Sequence, residues 1–220
     1  PQNFVDKMSQ NFRNLILDLD CEIDDFIRTT EPRHKIAAQA LWNKLYNNGQ
    51  IYLSNYEGWY SIRDEAFYTE SELIKNKESG NFVAPTGAPV EWVKEESYFF
   101  KLSDWQDKLI SFYKKNPDSI KPKTRYNEVL SFIEGGLRDI SISRTTFKWG
   151  VDVPNNGKHV MYVWIDALCN YLTSIGYPNE NSNKFKKFWP GTHIVGKDIL
   201  RFHAVYWPAF LMAADLPPPR

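Results

Sequence analysis

The feature that most constrains this chain lies near its end. Residues 192–195 (Thr-His-Ile-Val) read as a short buried-type strand running into Gly196. Lys197-Asp198 then opens a helix that carries Phe202, His203, Tyr206, Trp207 and Phe210. A second unit of the same kind precedes it. His159 to Ile165 is β-branched or aromatic nearly throughout, as in a strand buried on both faces, and Asp166 marks its passage into a helix that runs to Ile175. Right-handed crossovers would make the two strands parallel and set both of their ends on one edge, where open α/β sheets bind ligands. The first turns of the two helices would then share a cleft.

Upstream, apolar residues at three- and four-residue steps predict a helix over 2–17. Thr29, Thr30 and Pro32 start another, which Gly49 stops near Asn48. His34, in its first turn, reads as a surface or capping residue. From Ile51 to Val93 the pattern is short strands and turns, a small β-rich insert, and Val90 to Phe100 continues it as an extended segment. Its acid pair, Glu95-Glu96, reads as exposed. Helices follow over 103–115 and 126–133, then an extended stretch from Leu137 to Arg144.

Aromatic residues make up 15% of the chain, which fits either a generous core or a ring-lined site for an apolar ligand. With 27 basic and 27 acidic residues the net charge is zero, so any contact with a nucleic acid or an anionic membrane would have to be local. Cys21 and Cys169 are the only cysteines, too few for a disulfide framework or a thiolate zinc site, and they point to a reducing compartment. No apolar run approaches the ~18 residues of a spanning helix. The start, Pro1-Gln2, lacks both a Met and a signal-peptide pattern, and we expect a piece of a longer cytoplasmic protein.

Six blocks then carry a resemblance. They are Asp25-Phe-Ile-Arg-Thr-Thr-Glu-Pro-Arg-His34, Tyr56-Glu-Gly-Trp-Tyr60, Glu95-Glu-Ser-Tyr-Phe-Phe-Lys-Leu102, Asp139-Ile-Ser-Ile-Ser-Arg144, Tyr162-Val-Trp-Ile-Asp-Ala-Leu168 and Gly196-Lys-Asp-Ile-Leu-Arg-Phe-His203. In this order the chain resembles the bacterial methionyl-tRNA synthetases, and the likeness spans nearly its whole length. The resemblance implies an α/β class I synthetase domain with a Rossmann-type parallel sheet. Residues 1–50 would belong to its first half and 137–220 to its second, with a connective-peptide insertion over 51–136. It further implies ATP-dependent activation of L-methionine to methionyl-adenylate, with Mg2+, and transfer to tRNA(Met), by a monomer without a membrane partner. The family's HIGH and KMSKS elements would lie before Pro1 and after Arg220, so the 220 residues alone would be inactive.

By the same resemblance the methionine pocket maps onto Trp164, Ala167, Leu168, Tyr171, Phe202, His203 and Trp207. A thioether gains from aromatic edges, and Tyr171 and His203 could offer donors near its sulfur. Gly196, Lys197 and Asp198 would meet ATP, with Asp198 accepting from ribose hydroxyls. Arg144 would pair with a carboxylate outside these residues. Many relatives carry a zinc knuckle in the insertion, but here Ser61-Ile-Arg-Asp64 and Pro85-Thr-Gly-Ala88 supply no cysteine or histidine, so no zinc is expected. Trp59, Tyr60, Phe67, Tyr68, Phe82 and Trp92 would hold the insert by packing instead. Other readings are a non-catalytic tRNA- or partner-binding module and a synthetase for isoleucine, valine, leucine or cysteine. A nucleotide-dependent oxidoreductase stands further back, for want of a Gly-x-Gly-x-x-Gly run.

Overall fold

The computed structural model describes residues 1–64, 66–76 and 80–220. Helix α1 (Gln2–Asp18) buries none of its residues, and Phe4, Phe12 and Leu15 on its apolar stripe are exposed. Helix α2 (Pro32–Asn47) has proline in its first turn, where a missing amide costs little. It buries Ala37, Ala38, Leu41, Trp42 and Leu45 at helical spacing.

The insert is built on one long antiparallel pair. Strand β1 (Ile51–Ser61) runs without a break through Asn55. After the short strands β2 (Ala66–Tyr68), β3 (Ile74–Lys75) and β4 (Phe82–Val83), strand β5 (Glu91–Phe100) returns along β1, in register from Ile51 opposite Phe100 to Tyr60 opposite Glu91. Trp59 meets Phe82 at 5.7 Å and the edge of Trp92 at 5.6 Å. The side chain of Phe67, expected in this cluster, lies outside the described residues, as does that of Tyr56. The turn at 61–64 is tied to the turn at 85–88. Asp64 accepts from Thr86 and, at 3.0 Å, from the Tyr68 hydroxyl, while Arg63 donates to the Thr86 carbonyl at 2.9 Å. Ser61, Asp64 and Thr86 present only oxygen donors, already engaged with one another or with neighbours, and do not fit a thiolate or imidazole zinc site.

Helices α3 (Gln106–Lys115) and α4 (Lys123–Glu134) follow, and then short strands β6 (Ile140–Ser141), β7 (Ser143–Arg144) and β8 (Val160–Met161). The main sheet has the order β2-β1-β5-β6, while β3 pairs with β4 and β7 with β8. The chain is therefore mixed α/β as expected, but every strand pair among the described residues is antiparallel. The expected parallel pair is absent for two reasons. The strand read over 159–165 stops at Met161, because Ile165 and Leu168 are buried at helical spacing and helix α5 (Val163–Leu168) begins before Trp164. Residues 192–195 belong to no strand and pair with none of the described strands.

Helix α6 (Asn170–Ser174) continues α5, and α7 (Asn183–Phe188) leads to the last segment. The helix expected over 197–214 is in three parts: a 3-10 turn at Lys197–Ile199, a π-helical turn at Phe202–Tyr206 and helix α8 (Trp207–Ala213). One hydrophobic cluster runs from Ala37 to Leu216 and includes α3 and α4. Tyr113 of α3 donates its hydroxyl to the Ala204 carbonyl at 2.6 Å, and Phe100 meets Phe210 edge-on at 4.7 Å. Among the described residues no helix is long and apolar enough to cross a membrane.

Two polar expectations are corrected. Glu95 is buried, not exposed, because it accepts from the Thr145 amide and hydroxyl and, at 3.1 Å, from the Thr146 amide. His34 is fully buried, not a surface residue. Its Nε2 lies 2.6 Å from Asp166 and its Nδ1 3.0 Å from the Thr173 hydroxyl, so it joins α2 to α5 and α6. His34→Ala would leave a cavity and two unpaired partners. We expect a loss of about 2–4 kcal/mol of stability, read from the midpoint of urea unfolding.

Candidate functional site

Helices α5 and α6 place Trp164, Ala167 and Tyr171 on one face, while Ile165, Leu168 and Leu172 turn into the core. The face opposite is the π-helical turn, a local widening that recurs at functional sites and here carries Phe202 and His203. Phe202 stacks on Trp164 with ring centroids 3.4 Å apart and planes 9° from parallel. Tyr171 stacks on His193 at 3.8 Å and approaches Trp207 at 6.4 Å. Of the residues that the resemblance assigns to the methionine side, Trp164 meets Phe202, and Tyr171 meets both His203 and Trp207, whereas Leu168, only 1% exposed, turns into the core; Trp207 is fully buried.

The hydrogen bonds fix where the protons are. His203 Nδ1 lies 2.9 Å from the Ile199 carbonyl, which can only accept, so Nδ1 carries a proton. Burial pushes the His203 pKa below its ordinary value, and the neutral ring presents Nε2 as an acceptor. The Tyr171 hydroxyl, 2.8 Å away, donates to it, and burial raises the tyrosine pKa and keeps that proton in place. Both donors expected to face a sulfur are therefore engaged within the protein. A thioether here would meet ring edges and the remaining lone pairs of the tyrosine oxygen.

At the turn, Gly196, Lys197 and Asp198 are exposed. A Cβ on Gly196 would stand 2.5 Å from Asp198 Oδ1, so glycine lets the carboxylate fold back over its own turn. A cleft of about 610 Å³ opens beside it. Residues 192–197, Leu200 and His203 line one wall; Tyr113, Lys121 and Arg125 are among those on the other. Gly196 and Lys197 face this cleft, whereas Trp164, Tyr171 and Phe202 do not line it, and His203 stands between the two regions. Arg144 is buried. Its Nη1 donates to the Ser141 hydroxyl at 2.7 Å and the Ser143 carbonyl at 2.8 Å, and its guanidinium lies 3.9 Å over the ring of Tyr162, next to α5.

Two residues of the cluster were not singled out from the sequence. His193 Nε2 accepts from Trp207 Nε1–H at 3.1 Å, and Trp189 packs edge-on against Trp207 at 6.3 Å. No periodicity links positions 193 and 207; the available signal was a polar ring inside an otherwise apolar strand pattern. Among the described residues no cluster of three or more histidine, cysteine or acidic side chains could hold a metal ion.

A family model described as tRNA synthetases class I (M) matches residues 1–220. Methionine–tRNA ligases of Rickettsia typhi and Rickettsia prowazekii are 62% and 63% identical over 221 residues, covering 100% of this chain and 42% of their own length. The Mesorhizobium japonicum enzyme is 54% identical with the same coverage. The structure of Mycobacterium tuberculosis methionyl-tRNA synthetase in complex with methionyl-adenylate superposes with a TM-score of 0.90 at 53% identity, over 95% of this chain and 41% of that one. The chain thus spans about 42% of the length of the curated relatives it matches.

Burial lowers the His193 pKa from 6.5 to about 4, with the nearby His203 adding to the effect. The folded state therefore binds this proton more weakly than the unfolded chain. The stability it contributes is full above pH 6.5 and is lost as pH falls toward 4. In an NMR titration the His193 ring should titrate near 4; a midpoint near 6.5 would mean a solvated ring.

Proposed function

Since the chain belongs to the class I tRNA synthetases of the methionine type, we propose that the full-length protein containing it is a methionine–tRNA ligase. It would use ATP, with Mg2+, to activate L-methionine and would pass the methionyl group to tRNA(Met) in the cytoplasm. Residues 51–136 act as the connective-peptide insertion between the two halves of the catalytic domain, 1–50 and 137–220. What supports this most is the pairing of an aromatic cluster around Tyr171, His203 and Trp207 with the exposed Gly196-Lys197-Asp198 turn.

In the reaction a carboxylate oxygen of methionine attacks the α-phosphorus of ATP. The new O–P bond gives methionyl-adenylate, and the bond to the β-phosphate breaks to release pyrophosphate. The chain's contribution is position and a preorganised surface, not proton transfer. Trp164, Ala167, Tyr171, Phe202, His203 and Trp207 wall the side chain, with Leu168 supporting them from the core. Asp198 accepts from ribose hydroxyls, and Lys197 stands where it can meet the nucleotide. Arg144, anchored by Ser141 and stacked on Tyr162, holds the approach to α5. The walls are neutral and apolar, which suits an uncharged thioether chain and penalises a charged one.

ATP–pyrophosphate exchange on the full-length enzyme tests this. Methionine should support exchange and isoleucine, valine, leucine and cysteine should not. Asp198→Ala should raise the KM for ATP, and His203→Ala the KM for methionine, each about tenfold or more. Exchange driven equally by another of these amino acids would displace the proposal.

A further inference from the structure

We infer that His193 is a positioning residue for amino-acid recognition: its ring fixes Trp207 by a hydrogen bond and Tyr171 by a stack, and so sets the shape of the pocket wall. The inference rests on the methionine-activating function proposed above and adds to it a residue that does not itself need to touch the substrate.

The geometry places His193 at the hub of the cluster. Its ring lies 3.8 Å from that of Tyr171 at 26° between planes, and its centroid stands 6.3 Å from His203 and 6.0 Å from Trp189. Its Nε2 lies 3.1 Å from Nε1 of Trp207, an indole with no exposed surface. An indole nitrogen is a donor only, so His193 must accept there, and an accepting Nε2 means a ring without a proton on that atom. Burial keeps the ring in that form, so the bond persists throughout the neutral range.

Each contact controls a different wall. The hydrogen bond selects one orientation of Trp207, because turning the indole would leave a buried donor unpaired, which proteins avoid. The stack holds the Tyr171 ring at the angle from which its hydroxyl reaches His203 at 2.8 Å. Residues 192–195 carry no strand ladder among the described residues, and neighbouring Ile194 is 97% exposed, so His193 is the inward anchor of this segment. The same segment runs directly into the Gly196 turn. One side chain thus ties the amino-acid wall to the backbone that leads to the nucleotide side.

Two substitutions in the full-length enzyme separate the contacts. His193→Phe keeps a ring to stack on Tyr171 and removes the acceptor, whereas His193→Gln keeps an acceptor near the place of Nε2. In ATP–pyrophosphate exchange, His193→Phe should raise the KM for methionine about tenfold and leave kcat and the KM for ATP within about twofold. His193→Gln should recover most of the loss. In a Trp207→Phe background, His193→Phe should add little, since the donor is already gone, and this pair decides the matter if the single variant folds poorly. The inference is overturned by an unchanged methionine KM in His193→Phe, by an equal rise for methionine and ATP, by Gln being as damaging as Phe, or by additive effects in the double variant. A wild-type enzyme that shows no methionine-dependent exchange overturns the proposed function, and this inference with it.

Discussion

A buried imidazole holds the two halves of this chain together. His34, with no exposed surface, engages Asp166 on α5 and Thr173 on α6, residues more than 130 positions further along the sequence. Polar groups so deep are costly unless both ends are satisfied, so the bridge admits one relative placement of α2 against the α5–α6 pair. Asn48, just past the end of α2, donates to the Ala213 carbonyl at 2.8 Å, and Lys44 reaches Glu180 at 3.0 Å. Helix α2 is thereby pinned to the elements that carry the candidate site. Trp164, Ala167 and Tyr171 inherit their positions from this arrangement.

The candidate site applies the same accounting at smaller scale. Three polar hydrogens of the aromatic cluster have acceptors within it or beside it: Trp207 Nε1–H on His193, the Tyr171 hydroxyl on His203, and His203 Nδ1–H on the Ile199 carbonyl. Both imidazoles are held neutral by burial. The result is a wall of rings with fixed orientation and no net charge, next to an exposed turn whose carboxylate and ammonium suit a nucleotide. Under the proposed function, apolar selection and nucleotide contact would be separated along one continuous segment, 193 to 207.

Much of this was legible in the sequence, and the rest was hidden for physical reasons. The ordered blocks could be read directly, and so could α2 and α3, whose apolar spacing is regular; Trp164, Tyr171, Phe202, His203 and Trp207 of the cluster were named through the resemblance that those blocks carry. The strand expected up to Ile165 was misread because Val, Trp and Ile favour strands only where a pleated neighbour exists, and here burial at helical spacing prevailed. Residues 192–195 carry no ladder for a related reason: pairing is a property of the neighbour as much as of the strand. His34, Glu95 and His193 escaped because each is satisfied by partners distant in sequence, at Asp166, Thr145 and Trp207. Local pattern carries no signal for such pairs. In the insert, the side chains of Asp64 and Thr86 link the turns at 61–64 and 85–88 directly, a contact between distant positions that local pattern does not signal either.

The central claim is that one segment, 193–207, meets the amino acid with its rings and the nucleotide with its turn. A crystal structure of the full-length enzyme with a non-hydrolysable methionyl-adenylate analogue tests it most directly. The account predicts the thioether among Tyr171, His203 and Trp207, and the ribose hydroxyls on Asp198. A ligand seated with its methionyl side chain away from these rings, or with its ribose remote from the 196–198 turn, would contradict it.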